Sequence, residues 1–251
     1  MKSQRPINHY VRPHPHTLQS GAALLAFMML LVLSVSAFLL SGLSPLGHQL
    51  DRPFHNKAVL AEAKNAVIAY ARLSDPDLSV DSGLNYRYLP CPDQDGDGLE
   101  ETPCGTASAE GWLPWQSLGL APLRDASGVC LRYFISSSYK LGASDIPTIS
   151  APPAGDFVLS NSEGVISQQI VAVLFAPGEI VAGQARGLSP GLATECGSSA
   201  LSSDKNQAAN YLDAVVGIDN ATAPGFVTSP IIISGALNFN DTLMTILTSE
   251  L

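Results

Sequence analysis

Gly21 to Leu43, GAALLAFMMLLVLSVSAFLLSGL, contains no charged residue. Within a bilayer each backbone N–H and C=O has to be satisfied inside the segment, so an unbroken apolar run of this kind can only be helical. At about 1.5 Å per residue it reaches across a hydrocarbon core of about 30 Å. It is also longer than the roughly 7–15-residue apolar stretch of an ordinary signal peptide. The sequence therefore predicts one membrane-spanning helix. Residues 1–20 carry Lys2, Arg5 and Arg12, three histidines and no acid. A basic flank stays on the cytoplasmic side, which places everything after Leu43 across the membrane.

The chain of 251 residues leaves room beyond the span for one substantial domain. With 46% hydrophobic and only 14% charged residues, wholesale disorder is excluded. The formal charge of −9 includes three bases and no acid in residues 1–21, so the remainder stands at −12. Such a body repels phosphate backbones, and no nucleic-acid partner is expected; a divalent cation or a basic surface suits it better. The cysteines are Cys91, Cys104, Cys130 and Cys196. An even set in an oxidising compartment is paired, and four cysteines allow about three connectivities. The sequence-local one, Cys91–Cys104 with Cys130–Cys196, is favoured, since closing short loops contributes about 3 kcal/mol.

After the span, Pro45, Gly47 and Pro53 are expected to kink or interrupt the helix. Residues 54–73 are rich in helix formers, with Val59, Ala63, Ala66, Val67 and Tyr70 on one apolar face. From Ser74 the texture changes to Gly, Pro, Ser and Asp punctuation between short β-like runs. Strands are predicted at Val129–Ser136, Phe157–Ser160, Val165–Ala176 and Phe226–Ser234, and Phe239–Leu247 reads as a short closing helix or a last strand, with helix preferred. Helix first and strands after indicate an α+β fold with an antiparallel sheet.

Catalytic patterns are present but mechanically deficient. Gly187–Gly191, GLSPG, matches the nucleophile elbow in form. The residue after its serine is Pro190, which has no N–H to donate to an oxyanion. All the histidines, at 9, 14, 16, 48 and 55, lie in the leader or near the span. The body thus lacks an imidazole for a Ser-His-Asp triad, a Cys-His pair or a zinc site. Ser137–Lys140 and Ser202–Lys205 give S-x-x-K without its usual companion motifs. The chain is not expected to be an enzyme.

The stretch LPCPDQDGDGLEETPCG, Leu89–Gly105, sets Asp93, Asp95, Asp97, Glu100 and Glu101 between two cysteines. Asp93, Asp95 and Asp97 alternate and Gly98 follows, as in the opening of a calcium loop. Leu99 offers a carbonyl at the seventh position and Glu101 a carboxylate at the ninth. The twelfth position is Cys104, so this is not an EF-hand, and a last ligand is expected from Glu100, Glu110 or Asp125. A calcium affinity of about 10⁻⁴–10⁻³ M, as in extracellular modules, is expected. A solvated acidic turn is the alternative.

A short basic leader ending in Gly21, followed at once by AALLAFMMLLVLSVSAFLL, resembles the N-terminus of the type IV pilin and type II secretion pseudopilin superfamily. The segments LAEAKNAVIAYA, LPCPDQDGDG, GWLPWQSLGL, AVLFAPGEIVAGQ, NYLDA and FNDTLMTI resemble, in wording and order, a group of prepilin-like proteins. The resemblance covers roughly residues 20–250. It implies cleavage after Gly21 by a prepilin peptidase and methylation of Ala22. It further implies a single-pass inner-membrane anchor, a cytoplasmic N-terminus, a periplasmic head, and assembly with other pilin or pseudopilin subunits into an extracytoplasmic filament. The divisions expected are a leader at 1–21, a membrane and filament-core helix at 22–43, a kinked amphipathic continuation at 44–73 and a head at 74–251. Ala26 departs from the family pattern, which has Glu at the fifth residue after cleavage. That departure resembles capping pseudopilins and points to a minor or tip subunit. The same features also suit a permanently anchored periplasmic calcium-binding module outside any filament.

Overall fold

The computed structural model describes residues 20–73, 88–101, 103–104, 109–140, 152–161, 163–181, 183–186, 196–197, 206–215, 218–228 and 239–251. The chain divides into two compact units, Met1–Leu50 and Asp51–Leu251. Helix α1, Ser20–Leu73, begins in the first and ends in the second. In the first unit, Gly21–Phe38 is long and apolar enough to cross a membrane, and none of it is buried. A signal sequence meets the same criteria of length and composition. No interruption occurs at Pro45, Gly47 or Pro53: the backbone is helical through all three. A proline removes one i→i−4 bond, and the bonds of its neighbours carry the helix past it.

In the second unit the last turns of α1 form one wall of the core. Leu60, Ala63, Val67 and Ala71 are fully buried, at the three- and four-residue spacing of a single helix face. Val59 and Ile68 flank that face. The expected stripe is thus present but centred one position away, on Leu60 and Ala71. Lys64 anchors the helix further, its Nζ donating to the Thr245 carbonyl (2.9 Å) and pairing with Glu250 (2.6 Å).

Eight strands follow among the described residues: β1 Ala109–Trp112, β2 Arg132–Ile135, β3 Phe157–Asn161, β4 Gly164–Ala176, β5 Ala214–Val215, β6 Ile218–Asp219, β7 Gly225–Val227 and β8 Thr242–Leu247. Six of them form one sheet in the order β1-β2-β4-β3-β7, with β8 on β4, while β5 and β6 pair separately. Most pairs are antiparallel, but β3 and β7 run parallel, so the sheet is mixed rather than wholly antiparallel. The closing segment is strand β8, the alternative rather than the preferred helix. Its Thr242, Thr245 and Ile246 are β-branched, and the exposed ladder of β4 takes them up from Ile170 to Ala176. The Phe226–Ser234 strand is seen as Gly225–Val227, and its residues from 229 on lie outside the described residues.

β4 is the centre of the head, and from Ile170 to Ala176 it is buried on both sides. Val171, Ala172, Leu174 and Ala176 meet α1 together with Tyr133, Ile135 and Ile246. Ile170, Val173 and Phe175 face a second cluster with Phe134, Phe157, Leu212 and Phe226. In that cluster the Phe226 ring makes edge contacts with Phe134, Phe157 and Phe175 at centroid distances of 5.0, 5.3 and 5.3 Å. A segment ending in Leu212 thereby covers the sheet face opposite the helix. Disulfides join Cys91 to Cys104 and Cys130 to Cys196, with Cα separations of 5.5 and 5.7 Å.

Candidate metal centre

The acidic loop is built from a short bridge outward. Asp93 pairs with Trp112 of β1, N–H to carbonyl in both directions (3.0 and 2.8 Å). Gly111 beside it has no space for a side chain, because a Cβ there would meet the Asp93 carbonyl and Pro92. From this fixed point the loop turns twice through glycines in the left-handed region, Gly96 (φ 86°) and Gly98 (φ 91°). Each turn is held by the Asp93 side chain. Oδ1 accepts the Gly96 N–H (2.5 Å) and Oδ2 the Gly98 N–H (2.7 Å). Outer turns repeat the pattern, with Asp97 N–H donating to Asp95 Oδ1 (3.1 Å) and Leu99 N–H to Asp97 Oδ1 (2.8 Å). Both disulfides brace the loop. Cys91–Cys104 closes its base, and the Cys196 N–H donates to the Gly96 carbonyl (2.7 Å).

This folding gathers carboxylates. Asp93, Asp95, Asp97 and Glu101 each present an oxygen, and these oxygens lie within 4.8 Å of one another. At that spacing like charges repel by about 1 kcal/mol per pair even in bulk water, and by more near a protein surface. Asp93 is fully buried while Asp95 and Asp97 are exposed. Burial raises the Asp93 pKa, the Gly96 and Gly98 amides work against that rise, and the charges of Asp95 and Asp97 add to it. Glu101 is raised in the same way, by burial first, and its Oε2 accepts the Gln94 N–H (2.6 Å). An all-oxygen, all-anionic set of this kind could hold a metal ion; its donor chemistry fits a hard cation and offers nothing to a soft one.

The remaining acids do not complete the set. Glu100 turns the other way: Oε1 accepts the Tyr70 hydroxyl of α1 (2.7 Å) and Oε2 the Cys91 N–H (3.0 Å). Glu110 stands 3.9 Å from Arg132. Asp125 is occupied by the amides of Ser127, Val129 and Gly178. None of the three joins the gathered set of Asp93, Asp95, Asp97 and Glu101 among the described residues. Leu99 is 45% exposed and, with only a carbonyl to offer, lies outside the side-chain cluster. Gly21 and Ala22 sit in the first turn of α1, both exposed. Of the Ser–Lys patterns, Ser137 donates its hydroxyl to Asp156 (2.6 Å) and Lys140 Nζ reaches the Cys104 carbonyl (3.4 Å). Residues 187–191 and 202–205 lie outside the described residues.

Trp115 seals the loop from below. A Cβ on Gly98 would run into its indole ring, and the positive φ there is unfavourable for any L side chain. We expect Gly98→Ala to destabilise the head by about 1–3 kcal/mol, combining backbone strain with overpacking. Thermal unfolding should show this loss with or without added calcium. No protein-family model matches the chain, and neither does any curated protein or solved structure.

Proposed function

We propose that this chain is a minor, pilin-like or pseudopilin-like subunit of a type IV pilus or type II secretion filament. It is held in the inner membrane by Gly21–Leu43 and assembled with other subunits through that same helix. The observation that carries the proposal is the N-terminal apolar segment, exposed along Gly21–Phe38 and belonging to a helix whose final turns pack into an α+β head. A strand-rich, disulfide-joined head fits an oxidising, extracytoplasmic setting. The function is structural rather than catalytic, and the acidic loop holds calcium, which neutralises the carboxylates of Asp93, Asp95, Asp97 and Glu101. Small residues in the span, among them Ala22, Ala23, Ala26, Ser34 and Ala37, let helices approach closely.

Intact-mass measurement on membrane-extracted protein tests this directly. A mature chain beginning at N-methylated Ala22 is the expected result, produced by a prepilin peptidase. An uncut terminus at Met1 sinks the filament reading. A second reading, a permanently anchored periplasmic calcium-binding module, rests on the same apolar segment and acidic loop. Retention of the leader, with no crosslinks to filament components, is what that second reading expects.

A further inference from the structure

Away from the acidic loop, a second set of polar side chains is buried where three segments meet. Asp213 and Asp241 are 1% and 9% exposed. They are tied reciprocally through the backbone. Asp241 Oδ2 accepts the Asp213 N–H (2.8 Å), and Asp213 Oδ2 accepts the N–H groups of Asn240 (2.7 Å) and Asp241 (3.1 Å). Asn220, fully buried, donates to Asp241 Oδ2 (3.1 Å) and exchanges two bonds with Val227 of β7. The knot therefore holds residues 206–213, the Asn220 turn and the entry to β8.

Charge is unbalanced at this junction. The charges of Asp125, Asp241 and Asp213 act on the Arg186 guanidinium, whose central carbon lies 5.4 Å from the Tyr211 ring centroid. Arg186 spends its donors on neutral oxygens, the carbonyls of Gly178 (2.7 Å), Asn210 (3.0 Å) and Tyr211 (2.6 Å) and the side chain of Gln184 (2.6 Å). Gln184 in turn reaches Asp213 Oδ1 (3.5 Å). One guanidinium faces three carboxyl groups, so full ionisation leaves negative charge buried without a counterion, which is strongly unfavourable. Asp241 Oδ1 sharpens the point, since it is buried with no hydrogen-bond partner. An ionised oxygen is least tolerable in such a place, and a neutral carboxyl is far better accommodated.

We propose that Asp213 and Asp241 form a proton-operated clasp: one proton held by the pair keeps the three segments joined, and its loss loosens them. Burial raises both acids above the ordinary 3.8, the charge of Asp213 adds to the rise at Asp241, and the backbone N–H groups and Arg186 oppose it. An opened clasp exposes ordinary aspartates, so the closed form binds more protons. Its stabilising contribution is complete below 3.8, falls as pH rises toward the raised value, and is gone beyond it. The clasp does not depend on the filament proposal or on metal at the acidic loop.

The test uses the full chain in detergent micelles, stripped of metal with a chelator that is then removed by dialysis. Aspartate carboxyl-carbon NMR follows the two acids, and amide exchange is read at Asp213, Asn240 and Asp241. We expect one carboxyl of the pair to stay protonated where an ordinary aspartate is ionised. Opening at those amides should rise about tenfold per pH unit beyond intrinsic base catalysis, the slope of one linked proton, until the pair ionises. Asp241→Asn keeps an acceptor for both N–H groups but cannot titrate, and should abolish the slope. If that variant does not fold, Asp213→Asn and the wild-type carboxyl titration decide. Titration of both acids at the ordinary value, persistence of the slope in Asp241→Asn, or protection of the same amides by added calcium or magnesium overturns the clasp.

Discussion

Arg132→Ala should lower the stability of the head by about 3–5 kcal/mol, the range for emptying a large, fully buried site. Arg132 opens β2 directly opposite Trp112 of β1, and none of it is exposed. Its guanidinium lies 4.5 Å from the Trp112 ring centroid and 5.8 Å from that of Tyr211, and those two rings meet edge-on at 4.6 Å. The fork also donates to Asn206, through Nη1 to Oδ1 (2.6 Å) and Nη2 to the carbonyl (3.0 Å). It therefore binds the 206–213 segment to the sheet edge beside the Cys130–Cys196 disulfide. Burial pulls its pKa down to about 10, so the cation persists at neutral pH. Removing the side chain forfeits both ring contacts and leaves a cavity. Glu110, 3.9 Å away and 40% exposed, keeps part of its hydration when the cation is removed. Arg132→Met, which restores volume without charge, should recover about half of the loss. Thermal unfolding of the full chain in detergent reads the difference: a drop of about 6–20 °C for alanine and a smaller one for methionine. Equal melting of wild type and alanine variant would mean that the guanidinium is not holding the segment.

Local signals in the sequence reach as far as local physics does. The face of α1 follows from three- and four-residue spacing, and β3 and β4 from apolar β-rich runs bounded by turn residues, all within one segment. The alternation of Asp93, Asp95 and Asp97 with Gly98 likewise identifies a carboxylate-gathering turn before any tertiary contact is known. What escapes is decided by distant partners. Glu100 reads as one more acid in the loop, yet Tyr70, thirty residues earlier, captures it and ties the loop to α1. The closing segment reads as a helix in preference to a strand until the open ladder of β4 claims it as β8. Arg132 in a β-run would be placed on a solvent face by residue type alone, and only the rings of Trp112 and Tyr211 explain its burial. Asp213 and Asp241 sit in the segments NYLDA and FND, visible as words but not as a pair, because their junction is formed by three segments at once.

Asp93→Ala should destabilise the head by about 2–4 kcal/mol whether or not calcium is present, since it leaves two buried N–H groups without an acceptor. Those are the amides of Gly96 and Gly98, both in the left-handed turns that Asp93 alone holds with both oxygens. Asp95→Ala and Asp97→Ala are different in kind. Their side chains are exposed and each supports one outer turn, so without calcium their effect should be within about 0.5 kcal/mol of wild type. With calcium the ranking changes. At about 10 mM calcium and a dissociation constant of about 10⁻⁴–10⁻³ M, binding stabilises the wild-type head by about 1.4–2.7 kcal/mol, or about 3–11 °C in midpoint. Asp95→Ala and Asp97→Ala should lose most of that increment, because each removes one of four gathered carboxylates. Trp115, packed against Gly98, gives a second readout through its fluorescence during the titration. On the proposed calcium reading the ion cancels repulsion between the gathered carboxylates, so the increment is expected to vanish with the charges and not with the turns. A wild-type midpoint unmoved by millimolar calcium, with Asp93→Ala still destabilising, would leave Asp93 as the keystone of a metal-free acidic turn.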